Sequence, residues 1–101
     1  QRKAAMETRG DAFVALPGGF GTLEEILEVL VLKQLWYHDK PVVFLNINGI
    51  YDGLLAFFDA LIEQRFIKPE HSGLYAVAET PDGVFAFLDQ YVPAEPHGKW
   101  F

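Results

Sequence analysis

The sequence predicts an α/β fold: a parallel sheet with helices packed on both faces, three layers in all. Strand-like and helix-like segments alternate along the chain, and parallel neighbours need such crossovers. The strand-like runs are short and continuously apolar, as expected of strands covered on both sides. Residues 17–22, Pro-Gly-Gly-Phe-Gly-Thr, link the first full run to a helix. Sheets of this class bind ligands there, outside the carboxyl ends of their strands.

Each element has a local reason. Residues 2–9 are good helix formers, and Gly10 stands where a helix C-cap would. Residues 12–16, Ala-Phe-Val-Ala-Leu, read as a buried strand. Thr22 then opens a helix that reaches about Tyr37. Ile26, Leu27, Val29, Leu30, Val31, Leu32, Leu35 and Trp36 make that helix apolar nearly all round. A helix of this kind is deeply buried or lies in a subunit contact, and a homodimer contact is expected for its outer face. His38-Asp39-Lys40-Pro41 is a turn, because proline bars continuation. Residues 42–45 are a second buried strand, 46–49 a loop, and residues 51 to about 65 a second amphipathic helix. Residues 69–73 are turn-like and 74–77 a weaker third strand. Thr80 is placed to cap a last helix, with Pro81 at its first position and its end near Gln90. Residues 93–101 form a polar, proline-containing tail within the single domain 1–101. Three strands are too few for a doubly wound sheet. An N-terminal half or a partner chain is therefore expected to supply more, and the absence of Met at position 1 points the same way.

Composition narrows the function. Half of the 101 residues are hydrophobic and 15% aromatic, enough for one small core. A formal charge of −6 argues against a general nucleic-acid partner, which would require a basic face. The absence of cysteine excludes a disulfide framework and thiol catalysis, and fits a reducing compartment such as the cytoplasm. The longest apolar segment, residues 26–36, is interrupted by Glu28, Lys33 and Gln34 and is far short of the ~20 residues of a membrane span.

The glycine loop reads as a phosphate cradle. Glycines permit close backbone approach and sharp turns, and the N–H groups of the following helix point at an anion. The loop lacks the Gly-Lys-Ser/Thr ending of a nucleotide-triphosphate loop and departs from the G-x-G-x-x-G fingerprint. Glu24 and Glu25 stand behind it, and carboxylates beside a phosphate site suggest chemistry on what the phosphate carries. Glu25 has a competing role: Thr22-Leu23-Glu24-Glu25 fits a capping box, with Thr22 as N-cap. Glu28 lies one turn beyond Glu25 and reads as a solvated carboxylate. Arg2, opening the helix before the first strand, would share the crevice with Glu25 if a right-handed crossover returns it there. His38 reads as a surface residue, the three histidines form no metal set, and no nucleophile-elbow serine is present.

Arg2-Lys3, Met6 and the run from Asp11 through Pro17-Gly18-Gly19-Phe20-Gly21-Thr22-Leu23-Glu24-Glu25 also carry a family likeness. Together with His38-Asp39-Lys40-Pro41-Val42 and Asn46-Ile47-Asn48-Gly49-Ile50-Tyr51, they closely resemble the Lonely Guy (LOG) family of cytokinin riboside 5′-monophosphate phosphoribohydrolases. The resemblance runs to about Ala78 and is loose in the tail. It implies the C-terminal half of a Rossmann-like domain, without the N-terminal strands and their own glycine-rich loop. By motif, Gly18, Gly19, Gly21 and Thr22 would hold the phosphate, Arg2 and Glu25 would form the catalytic pair, and Lys3 would lie beside them at the ribose and phosphate. The implied substrate is a purine nucleoside 5′-monophosphate, AMP or a cytokinin nucleotide. The implied reaction is hydrolysis of its N-glycosidic bond, with no metal or organic cofactor.

Breaking that bond builds positive charge at the anomeric carbon, and a nearby carboxylate can stabilise that charge or activate the attacking water. The phosphate would then serve as a handle whose binding energy positions the sugar. A non-catalytic carrier of a nucleotide or of molybdenum cofactor on the same fold is the alternative, against which the Arg2–Glu25 pair counts. A fragment with only a structural role is the third reading. A chain that truly began at Gln1 would hold Arg2 on a fraying end and is expected to be weakly active or inactive.

Overall fold

A computed structural model describes residues 12–92 and, as backbone alone, residues 6–8. Among the described residues four strands form one sheet in sequence order: β1 (Met6–Thr8), β2 (Phe13–Ala15), β3 (Val42–Leu45) and β4 (Ala76–Ala78). The last three are parallel, with Val14 opposite Val43 and Phe44 opposite Val77. Helices α1 (Phe20–Gln34) and α2 (Asp52–Glu63) make the crossovers between the parallel strands, and α3 (Pro81–Gln90) follows β4. The α/β class, the parallel strands and the helix order expected from the sequence are all present.

One element differs. Residues 6–8, expected to be helical, form β1 and run antiparallel to β2, with Met6 opposite Ala15 and Thr8 opposite Phe13. Helix propensity differs by only tenths of a kcal/mol among such residues. Pairing with the open edge of β2 satisfies a row of main-chain groups and outweighs that preference. The expected C-cap at Gly10, the residues Arg2 and Lys3, and the tail 93–101 lie outside the described residues.

Sheet alternation divides the core. Ala15, Val42 and Phe44 face α1 and α2, packing with Ile26, Val29, Leu30, Tyr51, Phe58 and Leu74. Val14, Val43 and Leu45 face the other way, onto Ala78 and Val84 below α3. Helices thus cover both faces, which is why β3 is apolar at every position and wholly buried.

The helix ends follow local chemistry. Thr80 caps α3 as expected: its Oγ1 accepts from the Gly83 N–H at 3.0 Å, and Pro81 opens the helix. Helix α1 stops at Gln34 rather than near Tyr37, because Trp36 adopts a left-handed φ of 66° and the Tyr37 N–H turns back to the Leu32 carbonyl at 2.9 Å. His38 is more than a surface residue. Its Nδ1 accepts from the Lys40 N–H at 3.0 Å, which leaves Nε2–H to donate to the Val29 carbonyl at 3.1 Å. Burial holds the His38 pKa below its ordinary value, so the ring is neutral and ties the turn to α1.

Lys33 was not anticipated as a core residue, yet it is only 6% exposed. Its Nζ donates to the Leu74 carbonyl at 3.0 Å and lies 5.0 Å from the centre of the Tyr91 ring. Desolvation lowers its pKa to about 8, opposed by the charge of Asp39. Leu74 precedes β4 and Asp39 precedes β3, so this lysine sits at the amino ends of the strands. That is the end of the sheet away from the glycine loop.

Candidate functional site at the carboxyl ends of the strands

Three loops meet at the carboxyl end of the parallel sheet. The first, residues 16–19, leaves β2 and enters α1. The N-cap of α1 is Gly19, and the Leu23 N–H already bonds the Gly19 carbonyl at 3.1 Å. Among the described residues no side chain caps this end, so the first N–H groups of a 15-residue helix are open to an anion.

That start overturns the capping box. Thr22 is not the N-cap but the third residue of the helix, and Glu25 is a full turn further in, beyond reach of the cap amide. Both lie on the inner face, where Thr22 is 5% and Glu25 6% exposed. Glu24 and Glu28 are exposed. Of the carboxylates behind the loop, only Glu25 is therefore held inside the fold. A buried carboxylate at a ligand-facing helix start is a candidate for chemistry on a bound ligand.

The glycines also sort by cause. Gly49, in the second loop, has a φ of 70°, and a Cβ there would come within 2.6 Å of Asp52 Oδ2. The protein's own backbone needs that glycine. Gly19 and Gly21 are different: neither has a positive φ, and a Cβ at either would meet nothing within 4 Å. The expectation of a sharp turn is not what these two glycines serve. Nothing inside the described chain demands them, and the space they leave faces outward. Gly18 is exposed, and Phe20 stands 91% exposed at the mouth of the loop.

A polar network joins the three loops, and sequence reading missed it. Asn46, the first residue after β3, is 7% exposed. Its Oδ1 accepts from the Tyr51 N–H at 2.7 Å, and its Nδ2 donates to Asp52 Oδ1 at 2.8 Å. The Asn46 N–H itself donates to the Ala78 carbonyl at 2.7 Å, at the end of β4. The Tyr51 hydroxyl crosses to the first loop and donates to the Leu16 carbonyl. An asparagine directly after an apolar strand, five residues before a Tyr-Asp pair at a helix start, was the available signal. The structure thus brings Gly18, Gly19, Gly21, Thr22 and Glu25 to one end of the sheet. Arg2 and Lys3 lie outside the described residues.

Comparison with known proteins identifies the family. Residues 1–88 match the family described as "Possible lysine decarboxylase", a stretch that includes most of α3. A probable cytokinin riboside 5′-monophosphate phosphoribohydrolase of Oryza sativa subsp. japonica is 50% identical over 93 residues, covering 92% of this chain and 38% of that protein. One from Arabidopsis thaliana, also described as probable, is 50% identical over 93 residues, 92% of this chain and 46% of the relative. A second Arabidopsis thaliana protein, described as a cytokinin riboside 5′-monophosphate phosphoribohydrolase, is 48% identical over 93 residues, 92% of this chain and 43% of its own length. The chain therefore spans less than half the length of these curated relatives. The chain belongs to the possible lysine decarboxylase family, and it is similar at 48–50% identity to phosphoribohydrolases of the LOG type.

Proposed function

We propose that this chain is the glycine-loop part of a phosphoribohydrolase that cleaves the N-glycosidic bond of a purine or cytokinin nucleoside 5′-monophosphate, releasing free base and ribose 5-phosphate. The observation that carries this reading is the burial of Glu25 behind a helix start that no side chain among the described residues caps. The 5′-phosphate sits against the open N–H groups of Phe20, Gly21 and Thr22, where the helix dipole favours an anion. The ribose then extends toward the inner face of α1, and its anomeric carbon comes to Glu25. As the C–N bond lengthens, the carboxylate stabilises the oxocarbenium charge and accepts a proton from the attacking water. The base leaves with the bonding electron pair and takes up a proton. Arg2 and Lys3 bind the ribose and phosphate oxygens, with Arg2 orienting the carboxylate.

A decarboxylase reading finds little support in the geometry. The lysine of lowered pKa, Lys33, is packed at the amino ends of the strands, away from the cradle. The Lys33 amine and the phosphate site do not converge.

The cradle makes a sharp prediction. Gly19→Ala and Gly21→Ala each weaken binding of AMP and of ribose 5-phosphate by roughly tenfold or more, about 1.4 kcal/mol or above. Both leave the fold intact, since the added methyl has room. Calorimetric titration of the full chain with each ligand, beside a melting curve, checks this. Alanine variants that bind both ligands as tightly as the parent would reject the cradle.

The working form is a cytoplasmic homodimer in this reading. Leu27, Val31 and Leu32 on α1 remain 37–50% exposed. Leu27 and Val31 border an apolar groove of about 570 Å³ that Phe58 and Phe66 also line. Sedimentation of the full chain is expected to give a dimer, and Val31→Glu to give a monomer. A parent protein that sediments as a monomer at micromolar concentration would remove this part of the reading.

A further inference from the structure

We infer that Tyr51 is a positioning residue for the phosphate loop, acting through the Leu16 carbonyl; the inference rests on the cradle reading above. Leu16 is the last residue before Pro17-Gly18-Gly19, and proline has no N–H with which to anchor that turn. None of the loop glycines is held by a positive-φ turn. The direction in which the loop leaves β2 is therefore set from outside it. The Tyr51 hydroxyl does this by donating to the Leu16 carbonyl.

Tyr51 is itself fixed on three sides. Its ring stands edge-on to Phe44, with centroids 5.2 Å apart, and the residue is 3% exposed. Its N–H is held by Asn46 Oδ1 at 2.7 Å, and its carbonyl accepts from the Leu55 N–H at 2.9 Å, the first turn of α2. Asn46 in turn bonds the end of β4 and the Asp52 carboxylate. One side chain thus transmits the registration of β3, β4 and α2 to the peptide that launches the cradle. Burial raises the tyrosine pKa, so the hydroxyl keeps its proton and remains a donor. A positioning group of this kind acts on the binding of the handle rather than on bond cleavage.

Tyr51→Phe in the full chain removes the hydroxyl and nothing else. KM for AMP is expected to rise about fivefold, the effect of losing one hydrogen bond, while kcat stays within about twofold. Binding of ribose 5-phosphate, measured calorimetrically, weakens by the same factor. Val84→Ala, in the core on the other face of the sheet, lowers the melting temperature and leaves KM unchanged. A folded Tyr51→Phe protein with parental KM and parental ribose 5-phosphate binding would overturn the inference, as would an equal loss in the Val84→Ala control. If the parent binds ribose 5-phosphate but does not cleave AMP, the catalytic proposal fails alone, and weaker ligand binding by Tyr51→Phe still supports the positioning role. If the parent binds neither ligand, both fall. Should Tyr51→Phe not fold, Asp52→Ala at the exposed end of the same network is expected to raise KM about twofold, and an unchanged KM there would count against the inference.

Discussion

Glu25→Gln lowers turnover of AMP by roughly 100- to 10,000-fold in the full chain, the range over which a positioned acid–base group contributes. Glutamine keeps the volume and most of the hydrogen-bonding capacity of glutamate but cannot accept the proton of the attacking water. The site is 6% exposed, so the substitution is sterically silent only because the shapes match. Affinity for ribose 5-phosphate is expected to change little, because the cradle amides belong to the helix start rather than to residue 25. Single-turnover hydrolysis with product quantitation, set beside a binding titration, separates the two. Normal turnover in a folded Glu25→Gln protein would remove the carboxylate from the mechanism. The helix-capping role could not then be reinstated, since Gly19 and not Thr22 begins the helix.

The largest stability loss is expected at Phe44. This residue is fully buried in the central strand of the parallel set, and its ring meets Tyr51, Phe58 and Tyr75 at centroid distances of 5.2, 6.2 and 5.7 Å. All three contacts are edge-to-face, the arrangement that the ring quadrupoles favour. Phe44→Ala forfeits the buried area and these contacts together and leaves a cavity, at a cost of about 3–5 kcal/mol. Against a typical stability of about 5–15 kcal/mol this leaves the protein marginal. A denaturant titration should show the midpoint falling with its slope unchanged. A loss below about 1 kcal/mol would mean that the aromatic cluster is not the centre of the fold.

These two residues differ in how legible they were. Phe44 sits in Val42-Val43-Phe44-Leu45, an apolar run after a proline turn, and its burial follows from that pattern alone. Glu25 was ambiguous, because Thr22 and Glu25 carry the spacing of a capping box and local rules cannot say where a helix begins within a glycine loop. The start at Phe20 resolves it. The segment at residues 6–8 went the other way. Its composition favours a helix, and only the neighbouring edge of β2 makes it a strand. Lys33 looked like an interruption in an apolar helix, yet it is buried because the Leu74 carbonyl and the Tyr91 ring, 41 and 58 positions further along, lie over it.

Returning to the order of elements, periodicity and punctuation were sufficient for the α/β class, the three helices and the three parallel strands. Apolar runs, prolines and caps act over a few residues, so their effects are written locally. The glycine loop was visible for the same reason. What only tertiary structure decided is which groups converge: Thr22 with Glu25 on the inner face, Tyr51 under Leu16, and Asn46 between two strand ends. Those meetings join residues up to 35 positions apart through the sheet register, and no local pattern encodes that register.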